Sequence, residues 1–337
     1  MSSHSIRALA VLGTAAALTL TGCAASGGGT SSNDETVVLK VAFNQPESHP
    51  EAQAILELGE KLSEATDGRY EIDLYTDELL GAQAETIELV QSGSIAMTLV
   101  GASLLENFNP DFGVISLPYL YESKEHQMAA LNDPEISGDL FTSIADQSLQ
   151  VLVAYHGGVR NVYTKDRPVE TPEDLAGLKI RVSGAESHVR MMELMGGVGT
   201  PMAQGEVYTA IQSGVLDGAE NAELVYAGLG HAEVAPYYSY TEHLMIPDVL
   251  VINPRILDDM SDADRETFLG LVGQSVETEV SLFDDSVTEA RETAEAAGAT
   301  FVTPDLDEFR DAVRPLIDEI VTTDSARALY DSIDAAR

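Results

Sequence analysis

From residue 36 onward, short apolar runs with strand character alternate with segments whose apolar residues recur at helical spacing, and few folds accommodate that order. Residues 37–43 (VVLKVAF) read as a strand. Residues 51–66 place Ile55, Leu58, Leu62 and Ala65 on one helical face, and Asp67-Gly68 closes that helix with a turn. Residues 70–75 alternate Ile72 and Leu74 in a second strand. A helix over 82–92 and strands over 95–100 and 150–155 continue the pattern. Thr171-Pro172-Glu173-Asp174 starts a helix with an N-cap threonine, proline at the first position and acids in the first turn. After a strand at 178–182 come helices near 185–195 and 205–213, a short strand at 216–219 and a long β-rich segment over 244–253. Residues 262–297 lack proline and set Phe268, Val272, Val276, Val280, Phe283 and Val287 at steps of three and four. That stretch reads as one unusually long helix or two nearly collinear ones. A strand at 300–302 and helices from about Asp305 finish the chain. The alternation implies an α/β protein with largely parallel sheets.

The first 35 residues stand apart from this pattern. Arg7 precedes a nearly continuous apolar run over 8–20, too short to span a bilayer as a helix. It ends in Leu20-Thr21-Gly22-Cys23, a box similar to the bacterial lipoprotein signal, in which the cysteine is lipidated and becomes the mature first residue. Residues 1–22 are therefore expected to be a signal peptide, with Cys23 as the lipidation site. The AASGGGTSSND stretch makes residues 23–35 a flexible tether. Cys23 is the only cysteine, so no disulfide forms within the chain. The mature protein is expected outside the cytoplasm, anchored by lipid to the outer face of the cell membrane.

Charge narrows the partners. There are 18 Lys+Arg against 56 Asp+Glu, a formal charge of −38, and loss of Arg7 with the signal would make it −39. Such a surface repels nucleic acid, which would require a basic stripe. About 300 residues remain after the tether, enough for two domains with cores of their own. G-x-S-x-G, H-E-x-x-H, C-x-x-C and a Gly-rich phosphate loop are all absent. His49, His126, His156, His188, His231 and His243 are scattered without ligand spacing, so neither a metal site nor a cofactor is expected. Recognisable enzyme motifs are thus lacking, while carboxylate pairs of the kind that serve glycoside hydrolysis are available in any chain with so many acids.

Arg181 is the exception in this acidic chain. It lies in Gly177–Val182 (GLKIRV), on a short apolar strand, where a guanidinium needs a partner. Its rigid fork of donors matches a carboxylate bidentately and never loses its charge. That partner is either an internal acid or the carboxylate of a ligand.

Four segments occur in order: Gly158-Val159-Arg160-Asn161, TPEDLAGLKIRV over 171–182, TPMAQGEVYTAIQ over 200–212, and GVLDGAEN over 214–221. With Phe43-Asn44 after the first strand, Leu80-Gly81, Ser92-Gly93-Ser94-Ile95 and Leu117-Pro118-Tyr119, they resemble the solute receptors of TRAP (tripartite ATP-independent periplasmic) transporters, of the DctP type. The resemblance implies a two-lobed type II periplasmic-binding-protein fold with a long helix crossing both lobes. It places residues 36–155 and 248–285 in one lobe, and 156–247 and 286–337 in the other. A carboxylate ligand is then held in the cleft between lobes that close on it and is delivered to membrane permease subunits. Arg181 matches the carboxylate clamp, Arg160 a second basic contact, and Asn221 an amide at the same end of the ligand. Asn44 and Gln83 match ligand-facing positions of the first lobe, and Gly101 stands where some members carry a glutamate. Gln204 replaces an aromatic of sialate-type members, so an amide faces the ligand there and favours one with hydroxyls. The stretch 205–221 with Tyr237-Tyr238-Ser239 and Glu242-His243 resembles uronate-binding members. D-Glucuronate or D-galacturonate is the expected solute. The alternatives are a C4-dicarboxylate, another sugar acid, or an extracytoplasmic enzyme acting on a sugar acid.

Overall fold

Two mixed sheets, each the centre of one lobe, organise residues 36–337, which the computed structural model describes. In chain order the strands are β1 (Val37–Ala42), β2 (Tyr70–Tyr75), β3 (Met97–Gly101), β4 (Gln150–His156), β5 (Arg160–Thr164) and β6 (Lys179–Val182). They continue with β7 (Val198–Pro201), β8 (Gly218–Asn221), β9 (Tyr237–Leu244), β10 (Pro247–Ile252) and β11 (Thr300–Val302). The first sheet runs β2-β1-β3-β10-β4 and the second β11-β9-β5-β8-β6-β7.

The expectation of largely parallel sheets is corrected. β1 is parallel to β2 and β3, and β6 is parallel to β7 and β8, as strand–helix–strand units require. β10 instead runs antiparallel to β3 and β4, and β5 antiparallel to β8 and β9. The reason is the route of the chain. β4 leaves the first sheet and continues almost at once into β5 of the second, and β9 returns into β10 of the first. Each crossing strand enters its new sheet from the far side, against the local direction. The segment expected as one β-rich run over 244–253 is thus two strands broken at Met245 and Ile246.

Glycine is required where the chain first crosses. A Cβ on Gly157 would stand 2.5 Å from the carbonyl oxygen of Ile246 on the returning crossover. Gly158 has φ +85°, and a Cβ there would come within 2.6 Å of the Ala222 Cβ.

A single α-helix of 35 residues, Asp262–Ala296, bridges the lobes. Ser261 caps it by accepting from the Asp264 N–H. Near its start Phe268 and Val272 pack with Ile55 and Leu58 of the helix Pro50–Ala65 in the first-lobe core. Near its end Ala294 joins Tyr163, Tyr226 and Tyr238 in the second-lobe core. The C-terminal helix Asp324–Ala335 packs on Lys124–Leu131 and Pro134–Thr142. No helix among the described residues is long and apolar enough to cross a membrane. Cys23 and the tether lie outside the described residues.

Candidate ligand-binding cleft

Between the two sheets lies a cleft of about 300 Å³, and every ligand-facing position expected from the sequence lines it: Asn44, Gln83, Gly101, Arg160, Arg181, Gln204 and Asn221. Topology explains the convergence. Asn44 follows β1, Gly101 ends β3 and Asn221 ends β8, at the carboxyl edges where open α/β sheets leave a crevice. Arg160 reaches the same edge from the other direction. It opens β5, whose Asn161 pairs with Asn221, because β5 is the antiparallel strand that has just crossed from the first lobe. Gln83 opens the helix Gln83–Gln91, and Gln204 opens a short 3-10 helix, Gln204–Glu206.

The two arginines have different surroundings. Arg160 Nε and Nη2 donate to both carboxylate oxygens of Glu220 at 2.6 and 2.8 Å. Nη2 also donates to the Glu220 carbonyl and Nη1 to Asn221 Oδ1 at 2.7 Å. Glu220 is fully buried, and His243 Nε2 stands 3.4 Å from its second oxygen. Burial alone would raise the Glu220 carboxyl, but Arg160 and His243 outweigh it and hold the group well below the usual carboxylate range. This is a closed ion pair, each Glu220 oxygen accepting from Arg160.

Arg181 forms no such pair. Its Nε donates to the Met202 carbonyl at 2.9 Å and Nη1 to Gln204 Oε1 at 3.1 Å. Both Nη2 hydrogens and one on Nη1 are left without a partner in a side chain that lines the cleft. The side chain is only 5% exposed, and burial depresses its basicity, with the Glu220 charge acting the other way. A guanidinium nevertheless stays charged. Gln204 completes the arrangement. Its Oε1 also accepts from Asn221 Nδ2 at 3.0 Å, and because an arginine only donates, the amide oxygen must face Arg181. Gln204 Nε2 is then a buried donor without a partner.

On the first-lobe wall the buried unpartnered atoms include two amide oxygens and the Ser103 hydroxyl. Asn44 Oδ1 and Gln45 Oε1 are buried without hydrogen bonds, beside Asp248 on β10. Hydrogen bonds that join the lobes include Gly205 N to Glu78 Oε2 at 3.2 Å and Ser187 Oγ to Glu106 Oε1 at 2.5 Å. Burial raises both carboxyls above their ordinary value.

Gln45, Asp248 and Glu220 were not singled out from the sequence. For the two acids a signal existed: each sits inside a short apolar strand, in Pro247–Ile252 (PDVLVI) and in Gly218–Asn221 (GAEN), the anomaly that marked Arg181.

A two-lobed α/β scaffold with a buried, donor-rich cleft between crossover strands defines a solute-binding protein. The sequence matches the bacterial extracellular solute-binding proteins of family 7, the DctP family, over residues 41–324, and the chain belongs to that family of TRAP receptors. A solute-binding protein of Chromohalobacter salexigens is 34% identical over 277 residues, 82% of this chain and 82% of that protein. An uncharacterized protein of Salmonella typhimurium is 33% identical over 307 residues, 91% of this chain and 93% of its own length. Among solved structures, a TRAP periplasmic solute-binding protein of Anaerococcus prevotii with bound D-glucuronate superposes with a TM-score of 0.87 at 37% identity. It covers 89% of this chain and 98% of its own. One of Xanthobacter autotrophicus with bound β-D-galacturonate gives 0.85 at 33% identity, over 89% and 100%.

Proposed function

We propose that this protein is the extracytoplasmic receptor of a TRAP transporter that binds a uronate, D-glucuronate or D-galacturonate, unchanged and hands it to membrane permease subunits. The observation that carries the reading is the open edge of Arg181: three N–H donors on a buried cation without an internal carboxylate, beside the unpaired Gln204 amide. A ligand carboxylate supplies the missing anion with two charge-assisted bonds in fixed geometry. The relatives that carry glucuronate and galacturonate support the sugar-acid class. Arg160 and Asn221 frame this end of the ligand, Asn44 and Gln83 meet it from the first lobe, and Gly101 leaves it room. The lobes are 36–155 with 248–285 and 156–247 with 286–337, the last helix reaching back onto the first. Closure brings the two walls onto one small anion. The Leu20–Cys23 box supports a lipid anchor at Cys23, so that the receptor works at the membrane face.

A thermal-shift screen over D-glucuronate, D-galacturonate, sialate, C4-dicarboxylates and 2-oxo acids tests the assignment. A uronate at about 100 times its dissociation constant stabilises the fold by about 2.7 kcal/mol and is recovered unchanged after incubation. A dicarboxylate or 2-oxo acid that stabilises more than either uronate overturns the ligand class, and consumption of the sugar acid overturns the receptor.

A further inference from the structure

The wall opposite Arg181 has a chemistry of its own. Asp248 stands on β10, in register with Gly101 of β3 and Tyr155 of β4, and is half-buried where it lines the cleft. Two glycines leave room around its carboxylate. A Cβ on Gly101 would lie 3.5 Å from one oxygen, and a Cβ on Gly157 3.3 Å from the other. Behind it, within hydrogen-bond reach, is the buried carboxyl of Glu51 on Pro50–Ala65, and beyond that Glu279 on the long helix. The neighbouring cation, Arg160, is already held bidentately by Glu220. His156 contributes only its backbone N–H, to Glu279 Oε2 at 3.4 Å. Three carboxyls thus share this wall without a bidentate cation of their own, Lys124 and Arg160 acting on Glu279 and Asp248 only as neighbouring charges. In front of them Asn44 Oδ1 and Gln45 Oε1 are buried acceptors lacking donors.

We propose that Asp248 is the specificity-determining residue that fixes the ligand's charge distribution: one carboxylate, toward Arg181, and hydroxyl donors only at the other end. The argument is complementarity. The second-lobe wall presents the Arg181 edge and the Gln204 amide, and the first-lobe wall the Asp248 carboxylate together with the unpartnered amide oxygens of Asn44 and Gln45. A sugar hydroxyl donates into that wall and relieves the desolvation of its oxygens. A second carboxylate donates nothing there and is repelled by the Asp248 carboxylate in a poorly screened interior. Gly101 enters the same logic, since the larger side chain that some relatives are implied to carry would cover the Asp248 oxygen. The inference rests on the uronate reading and goes beyond it by naming what rejects diacids of similar length.

The test compares D-glucuronate with D-glucarate, which carries a second carboxylate on the same six carbons, by calorimetric titration of the wild-type protein and of Asp248→Asn. The expected wild-type preference for the uronate is at least about 100-fold, and Asp248→Asn narrows it at least about fivefold by weakening uronate and admitting the diacid. Narrowing below fivefold, with uronate still bound by wild type, overturns the role of Asp248 and leaves the receptor assignment standing. Absence of binding by any uronate overturns both. Should Asp248→Asn not fold, the wild-type ratio decides: at least about tenfold in favour of D-glucuronate supports the proposal, and a smaller ratio overturns it.

Discussion

The two walls of the cleft handle buried charge in opposite ways. On the second-lobe wall, Arg160 is locked to Glu220 and Asn221, while Arg181, two strands away in the same sheet, keeps an open edge. On the first-lobe wall, Glu51, Asp248 and Glu279 lie together without a dedicated cation, and burial raises all three carboxyls above their ordinary values. A closed ion pair is architecture. An unpaired charge that burial penalises is maintained only where something else, here a ligand, supplies its partner. The same residue type, arginine in an apolar strand, is thus locked in an internal ion pair at position 160 and left without one at position 181.

The largest effect should come from breaking the closed pair. Arg160→Ala strands the fully buried Glu220 carboxylate, and removing one partner of a buried pair costs about 3–5 kcal/mol of stability. The ligand-free melting temperature should therefore fall steeply. A variant that melts like wild type would show that the pair does not support the fold.

A somewhat smaller effect tests the acidic wall. Burial raises Glu279 from its ordinary 4.5 to about 8, only partly opposed by the His156 N–H and Lys124. A raised carboxyl supports the fold fully below its unfolded value, and that contribution is lost as pH climbs through the folded one. Between pH 5 and 8 the loss is on the order of 3 kcal/mol. Glu279→Gln keeps an acceptor for the His156 N–H and removes the titration. Its melting temperature should fall less than that of wild type over this window, and parallel curves would mean that Glu279 has a counterion after all.

Gln204 links the comparison to the ligand. Gln204→Phe removes the free Nε2 donor and the oxygen that steers Arg181, at a cost of about 1–3 kcal/mol in uronate affinity. A small monocarboxylate without hydroxyls should lose less. Equal losses in titrations of both ligands would remove Gln204 from the selectivity positions.

Much of this arrangement was legible in the sequence, for identifiable reasons. The helix Pro50–Ala65 and strands β1, β2 and β11 carry strong local periodicity or clear turns and stand where that pattern put them. The long helix announced itself by the absence of proline and is continuous. Arg181 was visible because a lone cation in an apolar strand of an acidic chain needs explanation. Strand direction was less accessible: β5 and β10 run against their neighbours because the chain changes lobes, and that route is a long-range fact. β7 carries a glycine and a proline in four residues and takes its extended form from pairing with β6. The partner of Arg160 was equally hidden, since Glu220 is 60 positions away and meets it only through the pairing of β5 with β8. Of the three acids that converge on the first-lobe wall, Asp248 alone carried a local signal, its place in an apolar strand; nothing local sets Glu51 and Glu279 apart among 56 acids.

The central claim is that Arg181 is held open for a ligand carboxylate, and Arg181→Lys tests it most directly. The substitution keeps the positive charge and replaces a rigid fork by a point donor. Calorimetric titration with D-glucuronate should show at least about a tenfold loss of affinity, with the ligand-free melting temperature within about 2 °C of wild type. Wild-type affinity in the lysine variant, or a melting temperature that falls as far as that of Arg160→Ala, would contradict the account and return Arg181 to the structural role that its neighbour occupies.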